Sequence, residues 1–171
     1  MNILFFTGNQ SLGGGTERVV AVLANALHAK GHRIFIASIY STSHHFFSLS
    51  NNIVSLTLHS TSDQKGLFAK LRCILRLRSL VKLYQIDVLI SVDTILAFYS
   101  LPAALFCPTA LVAWEHFNLY SSPGRPILRT TARVLAAYFS DAVVTLTDHD
   151  KYAWHKYMPC SRRIMSIPNP L

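Results

Sequence analysis

Residues 3–20 read Ile-Leu-Phe-Phe-Thr-Gly-Asn-Gln-Ser-Leu-Gly-Gly-Gly-Thr-Glu-Arg-Val-Val. Four large apolar residues, Ile3 to Phe6, closed by Thr7 and Gly8, predict a short buried strand. Val19, Val20, Leu23, Ala24 and Leu27 then fall on one face of a helix. Thr16 is the expected N-cap, and Glu17 sets a negative charge in the first turn, where the helix dipole favours it. Between strand and helix, Gly13, Gly14 and Gly15 let the backbone approach a ligand and turn amide groups outward. Such a turn suits an anion or a sugar, or else is a tight connection with no ligand.

The glycines match neither common nucleotide signature. Gly8 and Gly13 have P-loop spacing, but Gly14 stands where the lysine belongs. A dinucleotide fingerprint begun at Gly13 meets Arg18 in place of its last small residue. It also needs an acid at the end of the second strand, and none occurs from Arg18 to Ser62.

Working outward, apolar strands are expected at 34–40, 53–58, 87–93, 110–114 and 142–146, with a short one before the closing Ile167-Pro168-Asn169-Pro170-Leu171. Amphipathic segments separate most of them. Gln64 to Gln85 carries Lys65, Lys70, Arg72, Arg76, Arg78 and Lys82 without one acid, over an apolar line of Leu67, Leu71, Ile74 and Val81. Lys65, Arg72 and Arg76 share a face away from that line, and Arg78 and Lys82 lie nearer to it. The helix reads as a solvated outer face or as one that meets anionic lipid headgroups. Phe68 alone interrupts its charges as an aromatic before Tyr84, so nucleic acid is a poor match. The uncharged run 94–114 is broken by Pro102 and Pro108, so it reads as a buried helix (95–106) and a strand, not a membrane span. Alternating strands and helices predict an α/β chain: a Rossmann-like parallel sheet with helices on both faces.

Composition agrees with one domain holding a real core: 171 residues, 51% hydrophobic and only 14% charged. A formal charge of +8 favours anionic partners. Cys73, Cys107 and Cys160 have no metal-ligand spacing and read as structural thiols of a reduced compartment. No basic region precedes the first apolar run, so no leader is expected there. His44 and His45 are adjacent, point apart on any regular element, and have no third ligand nearby, so neither a metal site nor a cofactor is expected.

Together, Gly-Gly-Gly-Thr-Glu-Arg-Val-Val, the Asn25-Ala-Leu run ending at Gly31-His32, Trp114-Glu115-His116, the Thr147 to Asp150 spacing and the closing Ile-Pro-Asn-Pro resemble the N-terminal domain of a family-4 glycosyltransferase. The resemblance covers essentially the whole chain. It implies one half of a two-domain GT-B enzyme that retains configuration and draws on a nucleotide-sugar donor, in polysaccharide or lipopolysaccharide assembly. In that family the N-terminal domain mainly takes the acceptor, and a second domain with paired glutamates holds the donor. Glu17 and Glu115 are the sole glutamates here, so 1–171 is expected to be the acceptor-side domain without its donor domain, a truncated or separately encoded half.

By the same resemblance, Gly14 and Gly15 lie near the donor diphosphate, and His116 reaches the transferred sugar or the acceptor. Glu115 and Asn118 flank His116 as substrate-side groups. Arg18 pairs with phosphate or merely with Glu17, and Thr147 and Asp150 are acceptor contacts or helix caps. Bottom-up, His116 has a second reading as a satisfied core histidine. The implied partners are a nucleotide-sugar, a sugar or lipid-linked acceptor and an anionic membrane face, in the cytoplasm or peripheral on its membrane. The competing functions are a non-catalytic partner domain for a separate catalytic half and a nucleotide-binding protein of other chemistry.

Overall fold

A computed structural model describes residues 1–40, 46–59, 66–121, 124–158 and 163–170. His44, His45, Lys65, Cys160 and Arg162 lie outside the described residues. Seven parallel strands form one sheet: β1 (Asn2–Asn9), β2 (Arg33–Tyr40), β3 (Val54–His59), β4 (Val88–Val92), β5 (Ala110–Trp114), β6 (Ala142–Thr145) and β7 (Ile164–Ser166). Their order is β3-β2-β1-β4-β5-β6-β7, so the chain runs outward one way, then returns past β1 and runs the other way. Between β1 and β4 the direction reverses, the place where open parallel sheets leave a crevice at their carboxyl ends.

The helices are α1 (Gly15–Ala29), α2 (Leu67–Leu83), α3 (Ala97–Ala104), α4 (Pro126–Phe139) and α5 (Asp148–Tyr157). Strand alternation sorts the core into two faces. Ile3, Phe5, Ile34, Ile36, Val92, Trp114 and Val144 pack with Val19, Val20 and Ala24 of α1. Leu4, Phe6, Phe35, Ala37, Leu89 and Leu111 point the other way, against α2 and α3. Ala113, Val143 and Ile164 continue that second face under α4 and α5. Helices therefore cover both faces, one on the first and four on the second.

Side chains and backbone fix the ends of these elements. Asp87 accepts the Asn2 N–H at 2.7 Å, and Asp141 accepts that of Leu111 at 2.7 Å, so an acid before β4 and another before β6 anchor β1 and β5. Gly31, at φ +85°, ends α1, with its N–H on the His28 carbonyl and that of His32 on Leu27. That pair of bonds is the Schellman arrangement, and it needs the left-handed backbone that glycine supplies.

The structure corrects four expectations. The N-cap of α1 is Gly14, not Thr16; Thr16 is already helical. The Glu17 carboxylate folds back over Gly14, where any Cβ would collide with its Oε2. In α2, the buried line is Cys73, Leu77 and Val81, whereas Leu67 and Leu71 face outward. Arg76 is also not on a free outer face: it donates to the Leu58 carbonyl. Arg78 reaches inward to the carbonyls of Ala103 (3.1 Å) and Leu105 (2.6 Å). The helix predicted over 95–106 is shorter, because Asp93 accepts the Ile95 N–H and starts a 3-10 turn over Thr94–Leu96. Among the described residues, no helix is long and apolar enough to cross a membrane.

Candidate functional site

The carboxyl edge of the sheet gathers the glycine turn after β1, Asp93 after β4, Glu115 and His116 after β5, and Thr147 after β6. Gly14 is half-buried in extended backbone and Gly15 is exposed, with open space where its Cβ would stand. Gln10, deep in the turn, donates from Nε2 to the Glu17 carbonyl at 3.2 Å and leaves a buried Oε1 without a partner. Arg18 is exposed on the first turn of α1, and no ion pair of its side chain is present among the described residues.

Beside the turn lies a buried ionic cluster built from β4, β5 and α4. Arg129 grips Asp93 with both terminal nitrogens, at 2.8 and 3.1 Å, and stands 3.5 Å from Glu115. Its guanidinium also lies 4.4 Å over the Phe117 ring. Arg133 donates from Nε to Glu115 at 2.7 Å, and from its terminal nitrogens to the carbonyls of Asn118, Leu119 and Ser121. Glu115, 2% exposed, accepts in addition from the Thr94 hydroxyl (2.7 Å) and the Phe117 N–H (3.0 Å). Two arginines four residues apart on α4 thus neutralise one acid from each of two adjacent strands. The cluster clamps the loop after β5, and it holds Asp93 at φ +98°, a conformation rare for any residue but glycine.

His116 points the other way, as alternation from Glu115 requires. Its ring lies 4.4 Å from that of Trp114, on the α1 side of the sheet. Burial lowers its pKa to about 4, against a smaller upward pull from the Asp93 carboxylate. The imidazole is therefore neutral at pH 7, with one donor and one acceptor nitrogen. Its Nε2 is buried and has no hydrogen-bond partner.

The remaining expected residues do local structural work. Asn118 accepts the Tyr120 N–H at 2.9 Å, which shapes the loop after His116. Thr147 is the N-cap of α5 and accepts the Asp150 N–H at 3.1 Å. The Asp150 carboxylate meets the Thr147 hydroxyl at 3.2 Å and the Leu119 N–H at 3.3 Å, so it joins α5 to the β5 loop. Asp93, Arg129 and Arg133 were not expected at the site. The four-residue spacing of the arginines and the acid ending β4 were the available signals.

A doubly wound parallel sheet with a glycine turn and an acid-and-arginine clamp at its carboxyl edge defines a Rossmann-like domain. The chain belongs to glycosyltransferase family 4: the sequence pattern described as Glycosyltransferase Family 4 matches residues 13–171. An uncharacterized glycosyltransferase of Haemophilus influenzae is 33% identical over 168 residues, which cover 97% of this chain and 46% of that protein. The lipopolysaccharide outer core galactosyltransferase WaaB, in its apo form, superposes with a TM-score of 0.73 at 15% identity, over 100% of this chain and 46% of that one. Anabaena HepE in complex with UDP-glucose gives 0.71 at 14% identity, over 99% and 44%. At such identities the likeness to the two structures is one of fold. The chain spans about half the length of each of these proteins, so its fold corresponds to one half of a GT-B structure.

Proposed function

We propose that this chain is the acceptor-side half of a retaining glycosyltransferase, in which a hexose moves from a nucleotide diphosphate to a hydroxyl of a lipid-linked or oligosaccharide acceptor. The observation that carries the reading is the neutral His116 imidazole, with an unpartnered Nε2, at the carboxyl edge of the sheet that also carries the glycine turn. A buried polar atom without a partner costs about 1–3 kcal/mol, and a sugar hydroxyl is a fitting partner for it. Gly14 and Gly15 present backbone, not side chains, to a ligand at the end of α1, where the helix dipole favours a diphosphate. Arg18, exposed one turn along, adds a positive charge there. In this reading Glu115 and Asn118 act through the loop that carries His116, and Thr147 and Asp150 by tying α5 to the same loop. Sugar transfer also needs a donor-holding partner domain, and the mass of the whole enzyme is about twice that of this chain by comparison with the relative. The test replaces the corresponding half of the Haemophilus relative with this chain and follows nucleotide release from UDP-hexoses in the presence of lipid extract. Release that depends on His116 supports the proposal. Release unchanged by His116→Ala overturns the role given to it.

A further inference from the structure

The ionic cluster at the carboxyl edge pairs two carboxylates, Asp93 and Glu115, with two guanidinium groups, Arg129 and Arg133. Glu115 is satisfied chiefly by other groups. It takes Arg133 Nε and the Thr94 hydroxyl at 2.7 Å each and the Phe117 N–H at 3.0 Å, with Arg129 at a longer 3.5 Å. Arg129 turns both terminal nitrogens to Asp93 instead. Its side chain is only 7% exposed, and its guanidinium is fixed 4.4 Å over the Phe117 ring. A planar fork that meets both oxygens holds the carboxylate in one orientation.

Asp93 is also tied to the strand that leads to His116. Its N–H donates to the Trp114 carbonyl at 2.9 Å, two residues before the histidine, and its Oδ1 accepts the Ile95 N–H at 3.0 Å. Burial of the His116 ring lowers its pKa, and the Asp93 carboxylate pulls the other way. The other charged groups along this edge are turned elsewhere. Glu115 lies on the opposite face of the sheet, between the arginines. From α1, the Glu17 carboxylate folds over Gly14 and Arg18 is exposed. From α5, Asp148 accepts the Ser166 hydroxyl, Asp150 accepts the Leu119 N–H, and His149 is exposed. An unpaired carboxylate beside a histidine favours the imidazolium. That cation has two donors and no acceptor, whereas the neutral ring has one of each and can take a bond from a hydroxyl.

We propose that Arg129 is a positioning residue for this site: by holding Asp93 at both oxygens it neutralises that carboxylate and keeps the His116 imidazole uncharged. This rests on reading His116 as the sugar-side group. A titration of the chain alone tests it, so it fails or stands independently of whether the two-domain chimera transfers sugar.

The ring signals of His116 are followed by NMR as the pH falls from 8, in the parent chain and in variants. Arg129→Gln leaves Asp93 unpaired, and the His116 pKa should rise from about 4 by about 1 or more, as it does beside an opposite charge. Adding Asp93→Asn to Arg129→Gln should return the pKa to the parent value or below it. Arg129→Lys keeps the charge and should titrate nearer the parent than Arg129→Gln does. A residue that merely braced the fold would lower the melting temperature without this reversal by Asp93→Asn. Asp93→Asn alone leaves no acid unpaired and keeps the test open should Arg129→Gln fail to fold. There the His116 pKa should drop below that of the parent, and a value unchanged or raised overturns the proposal. So does a His116 pKa indifferent to Arg129→Gln, or one raised equally with and without Asp93.

Discussion

His116 and Glu115 are neighbours with opposite fates. The unfolded chain protonates a histidine near pH 6.5, whereas folded His116 resists protonation down to about 4. Between those values the unfolded state binds more protons, so stability present above pH 6.5 is lost as pH falls through the window. The effect is on the order of 3 kcal/mol by linkage. Denaturant melts from pH 7 to 4 should show a shallower acid loss in His116→Gln than in the parent chain; equal slopes would mean that His116 titrates normally. Glu115→Ala should behave differently. It strips a buried acid from Arg133 and Arg129, and breaking such a pair costs about 3–5 kcal/mol at any pH near neutrality. A loss below about 1 kcal/mol in urea denaturation would contradict the clamp. The sequence placed both residues correctly at the end of a strand, and the family resemblance gave both a substrate-side role. Period-two alternation sends them to opposite faces, and only the position of α4 reveals which face holds the arginines.

Among the elements, the strands were the most legible, because short apolar runs such as 3–6, 34–37 and 110–114, bounded by polar residues, are too short for a helix and too apolar for a loop. The amphipathic helix α2 was less so. Its leucines lie on two lines, and both satisfy a helical period. Packing against α3 and β3 selects Cys73, Leu77 and Val81, which periodicity alone cannot do. Leu77→Ala should therefore cost about 2–5 kcal/mol, as for a filled core position, and Leu75→Ala should stay within roughly 0.5 kcal/mol. Thermal or urea melts of the two variants check this directly, and equal losses would mean that the helix is rotated from the orientation described. The cap of α1 was misassigned for a related reason: Thr16 has the better capping side chain, but the helix starts two residues earlier, with Gly14 as N-cap, at glycines that need no side chain to do it.

Over the whole molecule, order, direction and helix placement put every strand's carboxyl end on one edge, and that edge carries both the histidine and the glycine turn. The central claim is that this edge is one side of a reaction cleft whose other side is a second domain. Holding two substrates in register contributes about 7–11 kcal/mol to such a reaction, so the 171-residue chain by itself should release no nucleotide from UDP-hexoses above background. Sustained turnover by the purified chain would refute that. The most direct measurement is turnover of the chimera with the Haemophilus relative's other half, compared between His116→Ala and His149→Ala. His149 is exposed at the start of α5 and serves as the control. If His116 meets charge developing in the transition state, its loss should cost about 2.7–4 kcal/mol, or a factor of about 10²–10³ in turnover. His149→Ala should leave turnover, and both variants the melting temperature, nearly unchanged. A His116→Ala chimera that loses activity only as far as it loses stability would make His116 a core histidine and contradict the account.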